Sequence, residues 1–95
     1  MSERDQYVEK AKAKLNQWNA DIAKIEAKAE AAEADMKIQY EEQLSEMRKS
    51  RDRAEAKLKE LRNASENAWE DIRSGYEMAW NSFSQAFQKA RSRFR

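Results

Sequence analysis

The sequence contains no cysteine, no histidine and no proline, and its only glycine is Gly75. Without cysteine there is no disulfide framework, no thiolate nucleophile and no thiolate metal site, and the redox compartment is left open. Without histidine, imidazole chemistry is excluded as well. The absence of proline and the single glycine leave little of the usual chemistry for reversing chain direction. An excess of charge of either sign is also missing. Nineteen basic and 18 acidic side chains leave a net charge of +1, so no global field draws the chain to nucleic acid or steers acidic substrates. No run approaches the roughly 20 apolar residues of a membrane span, and the start, MSERDQYVEK, lacks the apolar core of a signal peptide. These absences make a cytoplasmic protein the expectation.

What is present favours helix. Charged residues make up 39% of the chain, and Ala, Glu, Lys, Arg and Gln dominate, which are strong helix formers and the compositional mark of coiled coils. Three Trp, three Tyr and three Phe at regular spacing argue against disorder, which high charge alone would suggest. A chain of this size buries only about 60 to 65 per cent of its unfolded surface, so its own core would be thin.

A single apolar stripe runs along the sequence. It begins Val8, Ala11, Leu15, Trp18, Ile22, Ile25, Ala29, Ala32, Met36, with steps of three and four in strict alternation, as in a heptad seam. It continues through Tyr40, Leu44, Met47, Arg51, Ala54, Leu58 and Leu61, then Ser65, Trp69, Ile72, Tyr76, Trp80, Phe83, Phe87, Ala90 and Phe94. The 86 residues from Val8 to Phe94 are covered in 24 steps, a mean period of about 3.58, between the heptad and hendecad values. Such a stripe predicts one long, nearly straight amphipathic helix approaching 140 Å at about 1.5 Å per residue. Two places resemble breaks. Asn63 with Glu66 and Ser74 with Glu77 have capping-box spacing, and Gly75 costs about 1 kcal/mol relative to Ala inside a helix. The stripe crosses both in phase, whereas a loop resets phase arbitrarily, so the continuous helix is preferred. The alternative is a helical hairpin turning near 63–67 or 74–75 and packed into a bundle. By composition the chain divides into a heptad-type segment, 1–62, and an aromatic-rich amphipathic segment, 63–95, continuous with it.

The exposed stripe requires a cover, and a homo-oligomeric coiled coil supplies one. The expected interface is Val8, Leu15, Trp18, Ile22, Ile25, Met36, Tyr40, Leu44, Met47, Leu58, Leu61, Trp69, Ile72, Tyr76, Trp80, Phe83, Phe87 and Phe94. The alanine-rich stretch from Ala27 to Ala34 reads as a close or antiparallel packing zone, and Arg51, on the seam, as a residue that sets register at some cost in stability. Pairs such as Glu9 with Lys12 and Glu70 with Arg73 keep the outer faces soluble, each contributing about 0.2 to 0.5 kcal/mol.

In the last thirty residues the seam changes to large aromatics. On a helical wheel Trp69, Ile72, Tyr76, Trp80, Phe83, Phe87 and Phe94 fall within an arc of roughly 80°. A tail without acids follows, with Lys89, Arg91, Arg93 and Arg95. As oligomer core, the aromatics form the thick end of the assembly and the cations complement the helix dipole. As membrane anchor, Trp80, Phe83 and Phe87 lie in the interface with Lys89, Arg91, Arg93 and Arg95 at the phosphates. Aromatics on one ridge, without an open groove, argue against nucleic acid. Carboxylate sets such as Glu41, Glu42 and Glu46 or Glu26, Glu30 and Glu33 lack the loop oxygens of a cation site. No glycine-rich phosphate loop and no nucleophile paired with a base is present, so the expectation is a non-enzymatic structural or interaction protein without small-molecule substrate, cofactor or metal.

The pattern A-W-E-D-I-R-x-G-x-x-x-A-W-x-x-F-x-x-A-F-x-K-A-x-S-R-F, over 68–94, resembles the C-terminal part of small bacterial coiled-coil proteins, mostly uncharacterised and some described as stress-responsive. The segment RDQYVEKAKAKLNQWNADIAKIEAKA, over 4–29, is similar to the same group. The resemblance implies a helical, self-assembling, stress-related protein and carries no catalytic residues. A looser likeness to apolipoprotein-type amphipathic helices implies lipid contact.

Overall fold

The computed structural model describes residues 3–93, without the side chain of Arg93. It is all-α, with three helices, α1 (Glu3–Ala31), α2 (Ala34–Asn63) and α3 (Trp69–Arg93). Acidic residues open each helix, Glu3 and Asp5 in α1, Asp35 in α2, Glu70 and Asp71 in α3, and basic residues close the first two, Lys28 and Arg62. Both placements complement the helix dipole.

The helices run up, down and up. Arg4 Nη1 donates to the Ala64 carbonyl beyond the end of α2, Arg48 Nη2 meets Glu26 Oε2 at 2.7 Å, and Arg51 Nη1 donates to Asn19 Oδ1 at 3.3 Å, so α1 and α2 are antiparallel. Ring contacts from Tyr7 to Trp69 and from Trp18 to Phe83 make α1 and α3 parallel. The bundle measures 50 × 19 × 17 Å.

These dimensions overturn the expectation of one continuous helix near 140 Å. The chain bends twice, at Ala32–Glu33 and over 64–68. The second bend matches the hairpin alternative at 63–67. At 74–75 there is no turn: α3 runs through Ser74 and Gly75 unbroken. The bend at Ala32–Glu33 was not anticipated in either form. Its cause lies in packing. Each large seam side chain gains about 1.5–3 kcal/mol when covered, whereas each backbone hydrogen bond given up at a bend costs about 0.5–1.5 kcal/mol. Many seam residues stand against two bends, so folding back wins even through strong helix formers. Phase continuity does not oppose this, because three stripes facing one common axis satisfy the same periodicity as one stripe facing a partner.

The core therefore consists mainly of the seam, joined by Ser50, Ala79 and Ala86. In α1 the buried residues are Val8, Ala11, Leu15, Trp18, Ile22, Ile25 and Ala29, and in α2 Tyr40, Leu44, Met47, Ser50, Ala54, Leu58 and Leu61. Helix α3 differs by packing on two sides. Trp69, Tyr76, Trp80 and Phe83 make ring contacts with α1. Its small residues, Gly75 and the buried Ala79 among them, line the junction with α2, which is the most extensive helix interface of the bundle.

Candidate functional site

The densest arrangement of chemically distinctive side chains is the aromatic seam between α1 and α3. The indole of Trp18 is fully buried. It stacks on Phe83 with ring centroids 4.5 Å apart, on Trp80 at 5.0 Å and on Tyr76 at 6.0 Å. Toward the start of both helices, Tyr7 packs on Tyr76 at 6.0 Å and on Trp69 at 6.4 Å. Heptad spacing in α1 places Tyr7, Ala11 and Trp18 on one face, and steps of four and three place Trp69, Tyr76, Trp80 and Phe83 on the opposing face.

Polar atoms lock the same seam. The Tyr76 hydroxyl donates to the Ala11 carbonyl at 3.1 Å, and the Tyr7 hydroxyl donates to Glu77 Oε1 at 3.3 Å. Burial pushes the Tyr76 phenol up to about 12. Burial, and then the neighbouring Glu77 carboxylate, push Tyr7 higher still. The Arg73 guanidinium lies 4.9 Å from the Trp69 ring and 5.7 Å from the Tyr7 ring, and Lys14 Nζ stands 4.9 Å from Trp80. Each such cation–π contact contributes about 0.5–1 kcal/mol where solvent reaches it.

A recess of about 120 Å³ opens here between Tyr7, Lys10, Lys14, Tyr76, Glu77 and Trp80, well under the roughly 300–1,000 Å³ of small-molecule sites. The larger depressions are surface features. One of about 720 Å³ lies on the outer face of α2 around Ile38, and one of about 450 Å³ follows the α2–α3 groove beside Met78. Among the described residues, Ile38 and Met78 are the large hydrophobic residues left exposed, at 62% and 68%. Among the described residues no three carboxylates converge on a point where a cation could sit, and no helix is long and apolar enough to cross a membrane.

The structure brings most of the expected interface residues together inside one chain. Val8, Leu15, Trp18, Ile22, Ile25, Tyr40, Leu44, Met47, Leu58, Leu61, Tyr76 and Phe83 are buried, while Met36, Trp69, Ile72, Trp80 and Phe87 pack against them half-buried. Phe94 and Arg95 lie outside the described residues. Of the residues expected to touch a membrane, Phe83 is sealed in the core, Trp80 and Phe87 are half-buried, and Lys89 and Arg91 are exposed. Arg51 is half-buried and bonds Asn19 and Asp52, and Ser50 beside it takes the buried place. Sequence reasoning missed Ala79, Ala86 and Ser50. The spacing of Gly75, Ala79, Ser82 and Ala86 at threes and fours was the available signal for a second contact face on α3.

Compared with protein-family models, with curated proteins and with solved structures, the chain finds no match.

Proposed function

We propose that the protein is a non-enzymatic structural or interaction protein that works by helix–helix association, first of all with further copies of itself. The observation that carries this reading is the Trp18 stack on Phe83 and Trp80: the residues best able to build a reactive or ligand-binding surface are used to join helices. A seam of this periodicity can cover a second copy of the chain by the same contacts through which it covers itself. A stress-related setting is what the resemblance of both terminal segments to small bacterial coiled-coil proteins, mostly uncharacterised and some described as stress-responsive, implies. Analytical ultracentrifugation from micromolar to millimolar concentration tests the reading. Reversible or slowly exchanging oligomers are expected, and a monomer throughout the range contradicts it.

A second reading is favoured by one observation. Half-buried Trp80 and Phe87 share α3 with exposed Lys89 and Arg91, which suits an anionic membrane surface if α3 leaves the bundle. Co-sedimentation with anionic and neutral vesicles separates the two. Binding restricted to anionic vesicles, weakened by Arg91→Gln, supports the membrane, and no binding to either supports the first reading.

A further inference from the structure

The bend between α1 and α2 is built from residues that prefer not to bend. It consists of Ala32 and Glu33, flanked by Ala31 and Ala34, in the run EAKAEAAEAD, without glycine or proline. Glu33 stands at the N-cap in extended geometry, φ −69° and ψ 161°, yet its side chain makes no capping hydrogen bond. The first N–H groups of α2 therefore have no intrahelical partner and no cap. The seam, meanwhile, crosses the bend at heptad spacing through Ala29, Ala32 and Met36. Straightened here, the chain forms one helix from Glu3 to Asn63, about 90 Å long at about 1.5 Å per residue, whose apolar stripe is unbroken.

We propose that this bend is a hinge for domain swapping, and that the partner it serves is a second copy of the chain. In the swapped dimer α1 of each copy leaves its own α2 and α3 and packs in the same way on those of the other. Every helix contact is kept, including the stack of Trp18 on Phe83, while the orphan N–H groups at the bend regain helical partners. Two bundles then lie end to end, joined by two antiparallel long helices that cross at the hinge. Small seam residues are needed where identical segments cross, and Ala29 and Ala32 provide them. Charge also fits. Because α1 and α3 are parallel, the end of α3, with Lys89 and Arg91, lies at the same end of the bundle as the hinge segment. That segment carries Glu26, Glu30, Glu33 and Asp35 against Lys28 and Lys37. The basic ends of both α3 helices thus meet an acidic crossing. Exchange of an identical element is a low-cost route to a dimer, since the new interface is the old one.

The inference rests on the self-assembly reading, and Ala34→Pro tests the two separately. Ala34 is the first residue of α2, where proline is favoured, and Glu33 before it already has the extended geometry that proline imposes. The variant suits the bent monomer. In the straightened helix the same proline is interior and carries a penalty of a factor of about 100 or more at each of two hinges, so dimerisation should weaken roughly 10⁴-fold. The measurements are light scattering after size exclusion, and small-angle scattering. The wild type should give a slowly exchanging dimer about 100 Å long, twice the 50 Å of the bundle. Ala34→Pro should be a monomer of unchanged helicity, and Glu33→Ala, which puts the strongest helix former at the bend and one of the weakest N-cap residues before α2, should raise the dimer fraction several-fold. A dimer that persists in Ala34→Pro, or a wild-type dimer near 50 Å long, overturns the swap and leaves self-assembly standing. Wild type and Glu33→Ala that both stay monomeric at millimolar concentration overturn both.

Discussion

The ring of Trp18 in α1 lies nearly parallel to that of Phe83 in α3, with centroids 4.5 Å apart and planes inclined by 12°. This pair joins the first and last helices, and both rings are almost wholly buried. Replacing either ring by alanine should cost about 3–5 kcal/mol, a large share of the roughly 5–15 kcal/mol by which a domain is stable. The Trp18 indole N–H is buried and has no hydrogen-bond partner among the described residues, a liability of about 1–3 kcal/mol. Trp18→Phe keeps a stacking ring and removes that donor, so it should lose under about 1.5 kcal/mol in a urea titration, far less than Trp18→Ala. Equal losses would mean that the indole N–H contributes to stability.

Tyr76 makes stability sensitive to alkali. Its phenol is raised from 10.0 to about 12 by burial, so the folded state holds its proton more tightly than the unfolded state. The contribution is fully present below pH 10 and is lost as pH rises from about 10 through 12, at most about 2–3 kcal/mol at roughly 1.4 kcal/mol per pKa unit. Tyr7, raised further in the same direction, adds to the loss. Denaturation midpoints measured from pH 8 to 12 should fall above pH 10. Tyr76→Phe should flatten part of that fall while lowering stability at pH 8 by about 1 kcal/mol, through loss of the hydrogen bond to Ala11. A slope unchanged by the substitution would remove Tyr76 from the account.

Gly75 is a weak point that need not be one. It sits inside α3 without positive φ, and an added Cβ would come 3.0 Å from Lys57 Cε, the far end of a flexible side chain. Gly75→Ala should therefore gain about 0.5–1 kcal/mol from helix propensity as Lys57 swings aside, raising the melting temperature by a few degrees. Gly75→Val should destabilise, since its branched side chain presses further into the Lys57 stem and is stiff at χ1 in a helix. Alanine and valine that destabilise alike would show no free space beside Lys57.

The buried face of α1 was fully legible, because seven residues in strict heptad alternation admit one inward face, from Val8 to Ala29. The connection after Asn63 was half legible: the capping-box spacing of Asn63 and Glu66 marked it, whereas the stripe, crossing it in phase, argued for a continuous helix. The bend at Ala32–Glu33 was not legible. Its residues favour helix, and only the burial gained elsewhere decides against it. Gly75 misled in the other direction, since α3 runs through it as ordinary helix and makes no turn there. The aromatic ridge of α3 was read correctly as a face to be covered. Its cover, the chain's own α1, could not be read from periodicity, which is the same for a partner inside or outside the chain.

The chain covers its own seam by folding back twice. Small-angle scattering of the wild-type protein, extrapolated to the dilute limit where the monomer prevails, is the measurement that tests it. A radius of gyration near 15.2 Å and a longest dimension near 50 Å, with a few ångströms added by hydration, are predicted. A rod-like profile with a longest dimension near 140 Å, as about 1.5 Å per residue requires of one continuous helix, would contradict the account.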